Sequence, residues 1–192
     1  MRFVLASANP HKAAEIAEIM ADERGIELIA RPADVPDVDE TELTLQGNAL
    51  LKARALVVAT GLAAIADDTG LEVDALGGAP GVISARYAGE PSDAVANRAK
   101  LLYELSLQLL GDRSARFRTV AVAVFPDGRE VIAHGVCEGV IGLDERGEGG
   151  FGYDSIFVPV EGNGRTFAEM TSDEKHAVSH RGRAFRALQT LL

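Results

Sequence analysis

The sequence predicts an α/β fold in which helices flank a mixed β-sheet. Two patterns in the 192 residues indicate this class. In the first half, short apolar runs alternate with segments whose apolar residues recur at helical spacing, which is typical of parallel βαβ units. In the second half, two segments of strand-like alternation flank the turn at residues 126–128, which indicates an antiparallel hairpin. Parallel and antiparallel strands together make the predicted sheet a mixed one.

The first half is expected to form a β-α-β-α-β unit followed by a third helix. The predicted strands are three short apolar runs, at residues 3–6, 26–30 and 63–66. The first two helices carry apolar side chains at helical spacing: Ile16, Ile19 and Met20 in one, and Leu45, Ala49, Ala53 and Leu56 in the other. Gly61 is placed to end the second helix, because glycine adopts the left-handed conformation found at helix C termini. Ser92 is expected to cap the third helix, which runs to about Leu110.

The second half is expected to add three strands. They are the two arms of the hairpin and a short run that follows six glycines among residues 139–152: residues 116–125, 130–141 and 155–158. A C-terminal helical region is then expected from Thr171, because Thr171 and Glu174 have the spacing of a capping box. Its apolar stripe consists of Val178, Phe185, Leu188 and Leu192.

Arg181 falls on or beside this apolar stripe unless Gly182 breaks the helix. An arginine that points inward needs a partner, and a ligand oxygen would be a natural one. Residues 165–192 carry five basic and three acidic side chains, so this end of the chain is a candidate anion site.

The charge balance limits the partners that the chain can bind. It has 19 Lys and Arg against 29 Asp and Glu, a formal net charge of −10. Nucleic acids and anionic membranes are held by clustered basic residues, so neither is an expected partner. An anionic ligand would need local positive charge or a metal. A chain of this length is expected to form a single domain, residues 1–192.

Cysteine use and hydropathy indicate a reducing compartment. Cys137 is the only cysteine, so no internal disulfide can form, and its position predicts a core residue. No apolar run approaches the roughly 18 residues that span a bilayer. The apolar run at residues 3–6 is shorter than the roughly 7 to 15 residues of a signal-peptide core. We therefore expect a cytoplasmic protein.

Residues 7–12, Ser-Ala-Asn-Pro-His-Lys, join the first predicted strand to the first helix. Asn9 is placed to cap the helix, and Pro10 suits its first turn. Free backbone N–H groups and the positive end of the helix dipole favour a bound anion, with Ser7 and Lys12 as added donors. The alternative is a well-capped helix with a surface lysine, and local sequence leaves both open.

Asp67 and Asp68 follow the third predicted strand directly. Successive side chains of a strand point to opposite faces, so one carboxylate can enter a cleft while the other braces the turn. Carboxylates near the C-terminal edge of an α/β sheet suit Mg²⁺, and Glu40 or Glu42 could supply a second carboxylate. Turn capping by the aspartates before Gly70 is the alternative.

The glycine-rich segment 149–154 contains Phe151 and Tyr153. A ring in such a loop can stack on a planar base, or it can pack in the core beside a tight turn. Residues 147–152 also read G-x-G-x-x-G, but a strand rather than a helix is predicted next. A dinucleotide-binding Rossmann site is therefore rejected.

Four features together suggest that the ligand is a nucleotide with a metal. They are the helix start that could bind phosphate, the carboxylates, the aromatic loop and the basic C-terminal segment. The stretches that contain them resemble the inosine triphosphate pyrophosphatase family: residues 7–12, 47–49, 52–53, 67–81, 84–87, 151–154 and 171–181. They are spread over nearly the whole chain, in the order and with the spacing found in the family. Gly47 and Ser155 depart from the glutamate and proline that are usual in the family.

The resemblance implies a homodimeric enzyme that cleanses the nucleotide pool. Such enzymes hydrolyse the triphosphates of inosine, deoxyinosine and xanthosine to the monophosphate and pyrophosphate, using Mg²⁺, with Mn²⁺ as a possible substitute. The implied fold is an elongated mixed sheet flanked by helices, with two lobes around a central nucleotide-binding cleft.

The resemblance also implies the roles of individual residues. Asp68 would be the general base and a metal ligand, and Glu40 the other metal ligand. Residues 7–12 with Thr69 would hold the triphosphate, residues 151–154 the base and sugar, and three C-terminal residues would complete the pocket. The implied substrate-binding residues are Ser7, Ala8, Asn9, His11, Lys12, Thr69, Phe151, Gly152, Tyr153, Asp154, Lys175, His180 and Arg181.

Two other functions remain open at this point. One is a pyrophosphatase for other modified nucleotides on a related fold. The other is a catalytically silent nucleotide-binding sensor, which would bind a nucleotide with Mg²⁺ and release it intact.

Overall fold

The computed structural model describes residues 1–21, 25–108 and 111–192. Its strands are Arg2–Leu5 (β1), Glu27–Ile29 (β2), Ala64–Val73 (β3), Pro80–Gly81 (β4), Ser114–Val124 (β5), Glu130–Ile141 (β6) and Phe157–Pro159 (β7). Its α-helices are Pro10–Met20 (α1), Leu45–Thr60 (α2), Ala94–Ser106 (α3), Ser172–Val178 (α4) and His180–Leu191 (α5). Among these described residues, no helix combines the length and the apolar character needed to cross a membrane.

The strands form one mixed sheet in the order β2-β1-β3-β5-β6-β7, with β4 beside β3. Strand β1 runs parallel to β2 and to β3, where Val4 lies opposite Ala64. Strand β4 is antiparallel to β3, and β7 is antiparallel to β6. The turn of the β5–β6 hairpin is closed by a 2.9 Å hydrogen bond from the Phe125 amide to the Arg129 carbonyl. The predicted mixed sheet with flanking helices is therefore confirmed.

The chain divides into two compact units. Unit 1 contains Met1–Asp68, Thr119–Gly135 and Arg181–Leu192, and unit 2 contains Thr69–Arg118 and Val136–His180. Strands β3, β5 and β6 each contribute residues to both units.

In unit 1, helices cover both faces of the sheet. Phe3, Leu5 and Ile65 belong to a buried cluster with residues of α1 and α5, whereas Val4, Ala64 and Ala66 cluster with residues of α2. The alternation of β1 and β3 thus assigns odd positions to one face and even positions to the other. The face of each functional side chain on β3 follows from this register.

Unit 2 has an aromatic core of its own. The rings of Phe117 and Phe157 meet edge to face at 4.8 Å, and Phe167 lies 5.1 Å from Phe157. Cys137 is fully buried in the same cluster, as its position in the sequence predicts.

Three predicted helix boundaries are confirmed. The Asn9 side chain caps α1, and Gly61 ends α2 with a φ of 69°, which favours glycine over residues with a Cβ. Thr171 and Glu174 form the predicted capping box at the start of α4.

Two helix predictions are wrong. The cap of α3 is Asp93, whose carboxylate accepts from the Val95 and Ala96 amides, whereas the Ser92 hydroxyl donates to the Ala85 carbonyl. Helix α3 ends at Ser106, and the predicted end near Leu110 lies outside the described residues.

The C-terminal region is two helices, because Ser179 is extended with ψ 155° and ends α4, while Gly182 lies inside α5.

Two strand boundaries also differ from the prediction. Strand β3 does not end at residue 66 but continues to Val73, because β4 pairs with its second half and Leu71 lies opposite Gly81. Strand β7 begins at Phe157 rather than at Ser155.

Candidate active site

The loop at residues 7–12 is a fully capped helix start. The Asn9 side-chain oxygen accepts from the amides of His11 at 3.0 Å and Lys12 at 3.3 Å. The Ser7 hydroxyl donates to the Asn9 carbonyl at 3.2 Å. The amides of His11 and Lys12 are thus bonded within the loop, whereas the anion-site interpretation needs free backbone N–H groups. The capped-helix interpretation therefore describes the backbone. Ala8, Asn9 and His11 are exposed, and Ser7 and Lys12 are half-buried.

Asp67 anchors a charged network on the α1 and α5 face of β3. Its carboxylate lies 3.7 Å from the Lys12 ammonium and 3.5 Å from Nε of Arg181. Arg181 also donates to Glu15 of α1 at 2.5 Å. The side chains of Asp67 and Arg181 are almost fully buried. The buried arginine predicted from the helical stripe thus exists, and in this structure protein carboxylates are among its partners.

Asp68 lies on the opposite face of β3, toward α2. The Lys52 ammonium donates to its Oδ1 at 3.1 Å, and the Asn48 amide donates to its Oδ2 at 3.4 Å. Lys52 also donates to Glu40 at 2.8 Å. Of the two candidate second carboxylates, Glu40 is therefore the one joined to Asp68, through a shared lysine. The Glu42 amide instead donates to the Asn48 side-chain oxygen at 3.0 Å.

Burial and charge act in opposite directions on this group. Burial raises the pKa of the Asp68 carboxyl above its usual range; the Lys52 ammonium opposes this shift, and repulsion from Glu40 adds to it. Burial lowers the pKa of Lys52, but the attraction of Asp68, Asp67 and Glu40 outweighs it and leaves that pKa raised. Lys52 is therefore a firmly protonated cation beside two carboxylates.

Glu40 and Asp68 suit a divalent metal. Mg²⁺ prefers carboxylate oxygens and is commonly held by one or two carboxylates together with substrate phosphates. Both carboxylates are within 3.1 Å of one ammonium nitrogen, so their oxygens already lie around a common cationic position. Within the described part of the chain, no group of three or more His, Cys, Asp or Glu side chains is placed to hold a metal.

Gly47, one of the two departures from the family pattern, lies close to the Glu42 side chain. A Cβ built on Gly47 would come within 2.7 Å of the Glu42 Cβ and 2.9 Å of its Cγ. The Glu42 side chain thus occupies the space that a larger residue at position 47 would need.

In unit 2, residues 151–154 form a tight turn fixed by Asp154. Its buried carboxylate accepts from the Phe151 amide at 2.8 Å and from the Lys175 ammonium at 2.6 Å. A Cβ on Gly150 would lie 2.1 Å from that carboxylate, so only glycine permits this approach. The Lys175 nitrogen also lies 5.0 Å from the centre of the half-buried Phe151 ring. Asp154 and Lys175 therefore set the position of Phe151.

The two aromatic residues of the turn have different environments. Tyr153 is buried in the core of unit 2, and its hydroxyl donates to the Ser84 carbonyl at 2.8 Å. Burial raises the pKa of this phenol well above its usual range. Phe151 is only half-buried. The core-packing interpretation thus describes Tyr153, and Phe151 is the ring with an accessible surface.

Three further predicted residues belong to unit 2, and each has different surroundings. The ring of His180 is buried and stacked on Phe117 at 4.4 Å, with an angle of 17° between the rings. Thr69 is half-buried and follows Asp68 in β3. The Gly152 carbonyl accepts from Arg98 of α3 at 2.7 Å.

The sequence analysis gave no role to four residues that contact the predicted site: Glu15, Asn48, Lys52 and Arg98. Asn48 and Lys52 are four apart on α2, the spacing that places two side chains on one face, and this signal was available. Arg98 lies 54 positions from Gly152, and no local pattern relates them.

The chain was compared with known proteins. A family model described as the Ham1 family matches residues 3–191. The chain is 49% identical to the dITP/XTP pyrophosphatase of Elusimicrobium minutum, with 98% of each chain covered, and 48% identical to that of Streptomyces coelicolor, with 97% and 94% covered. A solved structure of a HAM1 protein from Coxiella burnetii is 43% identical over 100% of this chain and 98% of its own, with a TM-score of 0.89.

Proposed function

The chain belongs to the Ham1 family, and on that premise we propose that it is a nucleoside triphosphate pyrophosphatase acting on dITP, ITP and XTP. It hydrolyses these nucleotides to the monophosphate and pyrophosphate, which removes deaminated purines from the nucleotide pool. The observation that carries the proposal is the buried Asp68 carboxylate held beside Glu40 by Lys52. The names of the full-length relatives support the substrate class.

Glu40 and Asp68 are proposed to hold Mg²⁺, with Mn²⁺ as a possible substitute. A divalent ion bound there with the nucleotide neutralises phosphate charge and favours attack on phosphorus. The two carboxylates suit this role because they are hard oxygen ligands that contact one common ammonium group.

Asp68 is proposed to act as the general base. It accepts a proton from a water molecule whose oxygen bonds to the α-phosphorus, and the bond from that phosphorus to the bridging oxygen breaks, so pyrophosphate leaves with the electron pair. Its raised pKa suits proton acceptance better than that of an exposed aspartate. Lys12, with Ser7, Ala8, Asn9, His11 and Thr69, is proposed to bind the triphosphate, and its ammonium stabilises charge on the leaving group.

The base and sugar are proposed to be bound by residues 151–154 with Lys175, His180 and Arg181. Phe151 supplies the stacking surface, while Gly152, Tyr153 and Asp154 shape the turn that presents it. Hypoxanthine and xanthine carry a 6-keto acceptor where adenine carries an amino donor. Side-chain donors such as His180 and Arg181 therefore favour hypoxanthine and xanthine over adenine. Polar sites of this kind can reject the wrong analogue by a factor of up to about 10⁴ to 10⁵. A homodimer and a cytoplasmic location, expected from the sequence, stay predictions.

A nucleotide panel tests the proposed function. Pyrophosphate release is measured with ITP, dITP, XTP, GTP, ATP and modified pyrimidine triphosphates, and we expect the first three to give the highest kcat/KM. Equal turnover of ATP would contradict the purine-selective proposal. Preference for a modified pyrimidine would favour the related pyrophosphatase, and recovery of intact nucleotide from a bound complex would favour the silent sensor.

A further inference from the structure

Lys52 occupies the position between the two proposed metal ligands. Its ammonium nitrogen lies 2.8 Å from a Glu40 oxygen and 3.1 Å from the Asp68 Oδ1. The side chain is only 16% exposed, and that of Asp68 only 5%. A divalent ion that binds both carboxylates must therefore meet a unit positive charge already in contact with each of them.

The position of Lys52 is fixed by the same helix that positions Asp68. Asn48 lies one turn before Lys52 on α2, and the two residues donate to different oxygens of the Asp68 carboxylate. Asn48 also accepts from the amide of Glu42, which ties the segment after Glu40 to the helix. Protein donors thus contact both carboxylates of the pair.

We propose that Lys52 is a tethered counterion that competes with the divalent metal for Glu40 and Asp68 and so makes metal binding depend on the nucleotide. The proposal rests on the proposed function, since it assigns the metal to these carboxylates. Without nucleotide, the ammonium neutralises the pair and weakens metal binding by like-charge repulsion. A bound triphosphate adds negative charge that attracts both cations, so the metal and the nucleotide increase each other's affinity.

The electrostatic setting supports this role. The Lys52 ammonium contacts both carboxylates from a side chain that is only 16% exposed, so little water screens its repulsion of a second cation. Like charges in contact with the same carboxylates repel each other, so removing the charge of Lys52 should raise the affinity of the two-carboxylate site for a divalent ion.

The test is Mg²⁺ binding to the nucleotide-free protein, measured by isothermal titration calorimetry. Lys52→Met and Lys52→Gln both remove the charge. Because glutamine can still donate a hydrogen bond to a carboxylate, Lys52→Gln is the variant to use if Lys52→Met does not fold. We expect either neutral variant to bind Mg²⁺ about tenfold more tightly than wild type, since one repelling charge is gone. Lys52→Arg keeps the charge and should bind as weakly as wild type.

The matched control is Lys100→Met on α3. Lys100 donates to the Tyr87 carbonyl at 2.7 Å and lies outside the proposed site. Its replacement by methionine changes the net charge of the protein by the same amount as Lys52→Met. It should leave Mg²⁺ affinity unchanged. A second readout is the ratio of Mg²⁺ affinities with and without a non-hydrolysable inosine triphosphate analogue, which should be smaller in the neutral Lys52 variants than in wild type.

Unchanged or weaker Mg²⁺ binding in both neutral variants would overturn the proposal. An increase of the same size in Lys100→Met would also overturn it, because the effect would then come from net charge. Neither readout involves hydrolysis, so the nucleotide panel can fail or succeed independently of this experiment.

Discussion

Asp67 and Asp68 show how one residue of register changes the chemistry of a side chain. The two carboxylates are adjacent in β3 and both are nearly fully buried. Strand alternation directs Asp67 to Lys12 and Arg181, and Asp68 to Lys52 and Asn48. Asp68 and Glu40 both contact the Lys52 ammonium. This contact supports our proposal that Asp68 rather than its neighbour is the general base.

Asp68→Asn tests that assignment. The amide keeps the size of the side chain but cannot accept a proton, so we expect kcat to fall by about 10² to 10⁴, the range typical of a lost general base. Binding of ITP should largely survive, because the triphosphate contacts are proposed to lie elsewhere. Pyrophosphate release and calorimetric binding measure the two effects. Asp74→Asn, in the turn after the same strand, is the control, and wild-type rates in Asp68→Asn would remove Asp68 as the base.

At the scale of elements, the boundaries follow local sequence where capping side chains act and depart from it where tertiary partners act. The capping boxes and helix ends at Asn9, Gly61 and Thr171 were predictable, because each uses contacts within a few residues. The extension of β3 was not, since aspartate and glycine disfavour strands. It depends on the pairing with β4 and on distant cations that neutralise its aspartates.

The start of α4 gives a prediction about pH. Hydrogen bonds from Arg165, at 2.9 and 3.1 Å, and from the Thr171 amide lower the pKa of Glu174 from 4.5 to about 2. A carboxyl whose pKa is lower in the folded state stabilises the fold above its unfolded pKa, and this contribution is lost as the pH falls through the folded value. The stabilisation should therefore be complete above about pH 4.5 and disappear toward pH 2.

Glu174→Gln measures this contribution, because glutamine keeps the capping contact but loses the charge. We expect a lower Tm than wild type near neutral pH and a difference that shrinks below pH 4.5. Glu148→Gln, an exposed acid of the same unit, controls for net charge. A difference between Glu174→Gln and wild type that does not change with pH would contradict the assignment of the effect to this ionisation.

For the whole molecule, the net charge of −10 poses a problem that the site resolves locally. An inosine triphosphate carries several negative charges, and an acidic protein repels it unless cations intervene. In unit 1, Lys12, Lys52 and Arg181 supply positive charge next to carboxylates that neutralise much of it, and in unit 2 Lys175 does the same beside Asp154. The divalent metal is therefore expected to supply the remaining attraction.

Removal of the metal tests this view of the whole protein. A chelator should abolish pyrophosphate release, and Mg²⁺ in excess should restore it. The Tm of the nucleotide-free protein should change little, because Lys52 and Asn48 contact the carboxylates and a weakly bound ion contributes little to stability. Full activity in the chelator would contradict the metal requirement, and cooperative unfolding on chelation would show a structural metal instead.

The sequence by itself determined the α/β class, the order of the main elements, the capped starts of α1 and α4 and the family. These properties depend on the periodicity of apolar residues and on motifs within a few positions of one another. The tertiary structure decided which charges meet: Glu40 rather than Glu42 joins Asp68, Arg181 contacts Glu15 and Asp67, and Tyr153 packs inward while Phe151 stays accessible. Such contacts join residues far apart in the chain, so they follow from strand register and helix packing, which no local pattern fixes.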